Sequence, residues 1–235
     1  MTDRPLTVIT GTRTGIGLKL AEHYLERGHV VVGCSRKGAD RLEGRERYLH
    51  VVLDVADEGA VVDLFRTVQR RFGRVDHLIN NAGVASMNHF ALTPMSTVKK
   101  ILDTNVVGAF LFSREAVKSM LKAGTGRIVN IGSVLTGLRV PGEAVYTASK
   151  AALESLGRSV ALEVSAKNVT VNTLGVGPTD TDMVRGVPPA SMDRLTEQLP
   201  ISRLTTFEEI AHAVDFFLHP ASSGVTGQTL YLGGV

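Results

Sequence analysis

The sequence predicts an α/β fold, a doubly wound seven-stranded parallel sheet with helices on both faces. Three observations predict it. Seven short β-branched runs alternate with amphipathic stretches along 235 residues, the order expected of right-handed βαβ crossovers. Several runs, such as HVVVGC and GRIVNI, are continuously apolar, as strands are when both sheet faces are covered. The first run passes directly into TGTRTGIG, a glycine-rich turn that opens a helical pattern.

The elements follow in order. Leu6–Thr10 reads as the first strand and Ile16–Arg27 as the first helix, with Ile16, Leu20 and Tyr24 on one face. Strands at Val30–Cys34 and Leu49–Leu53 precede a helix over Ala60–Phe72. Val75–Asn80 reads as a fourth strand, and Met95–Ala123 as one long helix. Gly126–Ile131 is the fifth strand, Val145–Ala166 the next helix and Val169–Leu174 the sixth strand. Thr179–Pro200 breaks the rhythm with Pro188, Pro189 and Pro200 and only a weak helical pattern. After a strand's carboxyl end this reads as a substrate lid on a single domain spanning 1–235. A helix at Phe207–Leu218 and a strand at Thr229–Leu232 close the chain.

Composition excludes several classes of function. The chain is 43% hydrophobic and 21% charged, which supplies one large core. No apolar run reaches the length that spans a bilayer, and MTDRPLTVIT lacks a signal peptide's apolar stretch. The single cysteine, Cys34, excludes an internal disulfide and suits a reducing, cytoplasmic location. The net charge of +3 comes from scattered basic residues, with no tryptophan to stack on bases, so a nucleic-acid partner is not expected. The seven histidines fall in no ligand spacing, and no metal site is expected.

The glycine turn carries the first chemistry. Gly11, Gly15 and Gly17 leave room for a pyrophosphate to approach backbone N–H groups and the positive end of a helix. Gly11, Thr12, Arg13, Thr14, Gly15, Ile16 and Gly17 are therefore candidate cofactor contacts. An NAD-binding chain tends to place an acid at the end of the second strand, on the ribose hydroxyls. Here that strand ends Gly33-Cys34-Ser35-Arg36-Lys37, and the first acid is Asp40. Arg36 offers a planar fork for a 2′-phosphate and Arg13 faces it from the glycine loop, which predicts NADP(H).

At this point the residues resemble one family, the compact short-chain dehydrogenase/reductases, over nearly the whole chain. The resemblance rests on TGTRTGIG at 10–17, LDVAD at 53–57, NNAG at 80–83, Asn105 in ILDTNVVGAF and Ser133 in VNIGSV. It continues in YTASK at 146–150 and TGQTLYLGG at 226–234. It implies a Rossmann fold, a catalytic set of Asn105, Ser133, Tyr146 and Lys150, and a homotetramer or homodimer built from the long helices. It also implies cofactor contacts at Asp54, Val55, Asn81, Ala82, Gly83, Tyr146, Lys150, Pro178, Thr179 and Thr181. Relatives usually carry Pro-Gly where this chain has Val176-Gly177, so the loop at Pro178 and Thr179 departs from the pattern.

The chemistry of the set can be reasoned from its residues. Tyr146 and Lys150 lie four apart, on one face of a helix. A lysine ammonium about 5 Å from a phenol, at an effective dielectric near 20, favours the phenolate by roughly 3 kcal/mol, or about two pKa units. Tyr146 is thus expected to have a lowered pKa and to give a proton in reduction. Ser133 at the carboxyl edge of the fifth strand donates to the substrate oxygen. By the resemblance, Lys150 also holds the nicotinamide ribose, and Asn105, set among apolar neighbours, holds a water in a proton relay. Val134, Leu135, Val140 and Met183, with Ser133 and Tyr146, are expected to line the substrate pocket.

The closing TGQTLYLGG and TFEEIAHAVDFFL resemble the 3-oxoacyl-carrier-protein reductase branch. VASMNHFALTPMS departs from it, although Arg114, Lys118 and Lys122 offer a basic face for a carrier-bound acyl chain. The expected reaction is NADPH-dependent reduction of a ketone or 3-oxoacyl compound to a secondary alcohol. An alcohol dehydrogenase working oxidatively and a non-catalytic dinucleotide sensor are the alternatives.

Overall fold

A computed structural model describes residues 4–138, 140–181 and 189–235. Its strands are β1 (Leu6–Thr10), β2 (Val30–Ser35), β3 (Tyr48–Val52), β4 (His77–Asn80), β5 (Gly126–Ser133), β6 (Val169–Val176) and β7 (Thr229–Tyr231). They form one sheet in the order β3-β2-β1-β4-β5-β6-β7, every neighbouring pair parallel. The helices are α1 (Gly15–Glu26), α2 (Glu58–Phe72), α3 (Met95–Leu102), α4 (Gly108–Ala123), α5 (Ala144–Val164), α6 (Pro189–Thr196) and α7 (Phe207–Leu218).

Alternate strand residues point to opposite faces, and each face carries its own core. Val8, Val32, Leu78, Ile128 and Val171 pack with Leu64 of α2, Phe112 of α4 and Ala161 of α5. Ile9, Val31, Ile79, Val129 and Leu174 pack with Leu20 and Tyr24 of α1 and with Ile210 and Phe217 of α7. Each such aliphatic or aromatic side chain contributes about 1.5–3 kcal/mol on burial. An exposed pair such as Arg66–Asp63 contributes about 0–1 kcal/mol, so the two cores carry the fold. Between α1 and α7, Tyr24 Oη donates to Asp215 Oδ1 at 2.9 Å. At the amino edge of the sheet, Thr7 Oγ1 lies 2.9 Å from His29 Nδ1 and 3.2 Å from His77 Nδ1.

The structure departs from the sequence expectation where local pattern is silent. The helix expected over Met95–Ala123 is interrupted by a π turn, Asp103–Val107, centred on Asn105. Such a turn inserts an extra residue into the helical ladder and re-aims one side chain. Asn105 then reaches the loop after β4: its Oδ1 accepts from Val84 N at 2.8 Å and its Nδ2 donates to Val84 O at 3.0 Å. α2 starts at Glu58 rather than Ala60 because the Asp57 side chain caps it, accepting from Ala60 N at 3.1 Å. The stretch over Thr179–Pro200, read as a substrate lid with a weak helical pattern, contains the helix α6, and 182–188 within it lie outside the described residues. Among the described residues no helix is long and apolar enough to cross a membrane.

Candidate active site

The strand order reverses direction between β1 and β4, and ligands of open α/β sheets bind at the carboxyl ends beside that point. A cleft of about 1060 Å³ opens there. Its floor is the glycine loop after β1. Gly11 has φ +75, and a Cβ on it would stand 2.9 Å from Asn81 Nδ2 and 3.0 Å from Ala82 Cα. Asn81 and Ala82 are tied to the same loop, both backbone N–H groups donating to Thr10 Oγ1 at 2.9 Å. Thr14 precedes α1 without a side-chain cap, so the helix's first N–H groups keep their positive end toward the cleft. Gly15, whose φ is +62, has Thr181 beside its missing side chain at 3.6 Å. This cradle fits a dinucleotide pyrophosphate.

The structure brings most of the expected contacts to this one cleft: Arg13, Thr14, Ile16, Arg36, Asp54, Val55, Gly83, Pro178, Thr179 and Thr181 line it. Two lie behind it. Thr12 is fully buried, its Oγ1 2.8 Å from Tyr48 Oη, and Gly17 backs onto Gly11 O and Asn81, packing α1 on the loop. The shifted proline does not remove its loop from the site, since Gly177, Pro178 and Thr179 line the cleft, and Pro178 O is anchored behind it by Thr205 N at 2.8 Å. Ser35 and Lys37 join Arg36 at the rim. They are braced by His50, whose Nε2 lies 3.1 Å from both Ser35 Oγ and Lys37 O. Sequence reading missed these two, although they flank the arginine it chose.

Opposite the glycine loop, Ser133 ends β5, while Tyr146 and Lys150 lie on the first turns of α5. All three line the cleft with Val134, Leu135 and Val140; Met183 lies outside the described residues. Ser133 is 5% exposed; its Oγ accepts from Leu135 N at 3.2 Å, and its hydroxyl is hydrogen-bonded to the Tyr146 phenol. Lys150 is 4% exposed. Its Nζ donates to Ile131 O at 2.7 Å and sits 5.7 Å from the centroid of the Tyr146 ring.

The electrostatics differ from expectation. Burial pushes the Tyr146 phenol up to about 12, with the negative charge of Glu143 acting in the same direction and the Ser133 hydroxyl against it. Burial also brings Lys150 down to about 8. Both charged forms lose water on burial, and this is the first cause of each shift. The tyrosine is therefore a firmly protonated phenol rather than an acidified one.

Asn105 was expected to face apolar neighbours; it is fully buried among polar ones. Besides the two bonds to Val84, its Nδ2 donates to Ser149 Oγ at 2.9 Å. Gly83 bridges it to the lysine, for a Cβ at Gly83 would lie 3.3 Å from Lys150 Nζ and 3.4 Å from Asn105 Oδ1.

Other cleft residues had no sequence signal strong enough to be singled out. Val84, Met87 and Thr104 line the wall beside Asn105, and Ser191, Met192 and Leu195 approach from α6. Glu143 also lines it. Its place three residues before Tyr146 is the signal that could have found it. The basic face of α4 is largely neutralised: Arg114 pairs with Glu58 at 2.8 Å, and Lys118 with Glu115 at 2.8 Å.

Comparison with known proteins gives concordant results. A family model described as enoyl-(acyl carrier protein) reductase matches residues 11–234. The 3-oxoacyl-acyl-carrier-protein reductase of Salmonella typhimurium is 33% identical over 236 residues, covering 97% of this chain and 96% of its own. The gluconate 5-dehydrogenase of Burkholderia cenocepacia, solved with NADP and tartrate, superposes with a TM-score of 0.91 at 29% identity, covering 98% of this chain and 94% of that one. An actinorhodin polyketide ketoreductase variant solved with NADPH gives 0.89 at 30% identity, over 98% and 96%.

Proposed function

The chain belongs to the short-chain dehydrogenase/reductase family, enzymes acting on CH–OH and C=O groups, and from that premise we propose that it is an NADPH-dependent reductase. Its substrate is a ketone or 3-oxoacyl compound, its product a secondary alcohol. One observation carries the reading: Ser133, Tyr146 and Lys150 converge on the cleft wall facing the glycine cradle.

A bound nicotinamide dinucleotide supplies the hydride. Gly11, Gly15 and the α1 N-terminus would hold its pyrophosphate, while Arg36, with Arg13 and Lys37 beside it, would hold the 2′-phosphate. Asp54 and Val55 would flank the adenine, and Asn81, Ala82, Gly83, Thr179 and Thr181 the nicotinamide end. Ser133, hydrogen-bonded to Tyr146 in the ligand-free cleft, gives its hydroxyl hydrogen to the carbonyl oxygen once substrate is bound. Tyr146, protonated at neutral pH because its pKa is about 12, gives that oxygen its proton as negative charge develops on it. Lys150, buried beside the ring, presents positive charge toward the tyrosine as the proton leaves. Asn105 holds the wall at Val84, so that Gly83 stays against the lysine, and keeps a place in the proton relay.

The neutralised face of α4 favours a free small molecule over a carrier-bound chain. The stretch at 179–200 is read as a lid, the location as cytoplasmic and the assembly as a homo-oligomer. The assembly reading is supported by the exposed Phe90, Leu92 and Met95, at 76%, 77% and 65%. The test is purified protein with NADPH or NADH and a panel of ketones, followed by loss of nicotinamide absorbance. Wild type turns over with a preference for NADPH. Arg36→Ala with Arg13→Ala lowers that preference about tenfold or more, and Tyr146→Phe lowers kcat about 10²- to 10⁴-fold while NADPH binding stays within threefold. Tight NADPH binding with no turnover of any carbonyl or alcohol would replace this reading with a sensor.

A further inference from the structure

We propose that Glu143 forms a cation-accepting subsite at the substrate end of the cleft, so that the carbonyl compound reduced here carries a protonated amine. This names the substrate class of the reductase and so rests on the proposed carbonyl reduction. Glu143 is 8% exposed and lines the cleft, and its Oε2 is buried with no hydrogen-bond partner. It stands at the N-cap of α5, and its side chain caps nothing. Among the described residues it has no ion pair.

The surroundings define what fits. Val140, Pro141, Leu135 and Met87 share this wall, and Met87 Cγ lies 3.0 Å from where a Cβ on Gly142 would stand. Among the described residues the cleft's cations do not pair with Glu143: Arg13, Arg36 and Lys37 belong to the glycine loop and the end of β2, Lys150 is bonded to Ile131 O, and Arg194 lines the cleft from α6 without reaching the Glu143 carboxyl. Burial raises the Glu143 carboxyl, as expected of an acid without a counter-charge. A carboxylate in an apolar wall is costly unless paired. A ligand ammonium converts that cost into a charge-assisted hydrogen bond, about twice as strong as the neutral bond a hydroxyl would give. Glu143 also lies near enough for its charge to act on the Tyr146 phenol, so a cation held there sits close to the reacting oxygen. Helix geometry agrees, since residues three apart share a face.

The experiment compares N-methylpiperidone, protonated at neutral pH, with its carbon isostere methylcyclohexanone and with hydroxycyclohexanone, on wild type and Glu143→Gln, with NADPH. Calorimetric binding of N-methylpiperidinol and methylcyclohexanol to both proteins, with NADPH present, runs beside it. Thermal melts check that the variant is folded. Wild type is expected to favour the amine over methylcyclohexanone by about tenfold or more in kcat/KM and in affinity. Glu143→Gln brings that ratio to about one, whatever common change the loss of its charge near Tyr146 makes to all the ketones. Equal handling of the amine and the isostere by wild type, a preference for the hydroxy ketone, or a ratio unchanged in Glu143→Gln overturns the subsite. If no ketone is reduced, the carbonyl-reduction reading fails, and amine binding lost in Glu143→Gln still upholds the subsite, whereas binding that is absent or unaltered overturns it.

Discussion

Lys150→Met is expected to make the ligand-free protein more stable while abolishing its turnover. The ammonium is 4% exposed and makes one hydrogen bond, to Ile131 O at 2.7 Å. Burial lowers its pKa from 10.5 to about 8. Each unit is about 1.4 kcal/mol, so below pH 8, where folded and unfolded chains are both charged, the native state carries a cost of about 3 kcal/mol. Methionine fills similar space without charge. Losing the bond to Ile131 returns about 1 kcal/mol, leaving a net gain near 2 kcal/mol. For a chain of this length that is roughly 4–8 °C in Tm.

The pH dependence isolates the cause. Between pH 8 and 10.5 the unfolded lysine stays charged while the folded one gives up its proton. The unfolded state then binds more protons, and wild-type stability rises with pH. Lys150→Met lacks that rise, so its advantage shrinks across this window. Tyr146 runs the other way: its pKa of about 12 means the folded state keeps a proton that the unfolded state loses above pH 10. Comparing variant with wild type cancels this. The assay is thermal melting at pH 7, 8, 9 and 10 without nucleotide. A variant that melts at or below wild type at pH 7, or a gap that stays constant to pH 10, would show that the buried ammonium carries no such cost.

Two further outcomes follow from buried polar groups. Asn105→Ala removes three hydrogen bonds and strands the N–H and C=O of Val84; at about 1–3 kcal/mol for each buried unpaired group, denaturant unfolding should show a loss of about 3–5 kcal/mol, and a loss below 1 kcal/mol would show that the clamp bears no weight. His77 is held by burial at a pKa of about 3 and His29 is lowered as well, so from pH 6.5 downward the unfolded chain takes protons the native chain refuses. Stability therefore falls by up to about 1.4 kcal/mol per pH unit for His77. His77→Gln should flatten that slope between pH 6.5 and 5, and an identical slope in the variant would assign acid sensitivity elsewhere.

Local spacing encodes much of this fold. The strand–helix alternation and the two-sided apolar runs dictated the parallel sheet, because burial on both faces leaves no polar stripe to hide. The glycine turn was legible because close backbone approach needs absent side chains. Tyr146 and Lys150 share a face through helical period alone, and the end of β5 carries Ser133 to the same edge. Tertiary structure alone decided the rest, because desolvation and hydrogen-bond satisfaction depend on residues far apart in the chain. Asn105 meets Val84 across 21 positions, which turns a continuous helical pattern into a π turn. Thr12 meets Tyr48 across 36, which draws it behind the cleft. Packing around α5 removes water from Tyr146 and Lys150 together, and so raises the phenol that spacing alone would have lowered. The same packing leaves the Glu143 carboxyl buried without a partner: sequence shows an acid before a helix, and only the assembled wall shows that nothing in the described chain pairs with it.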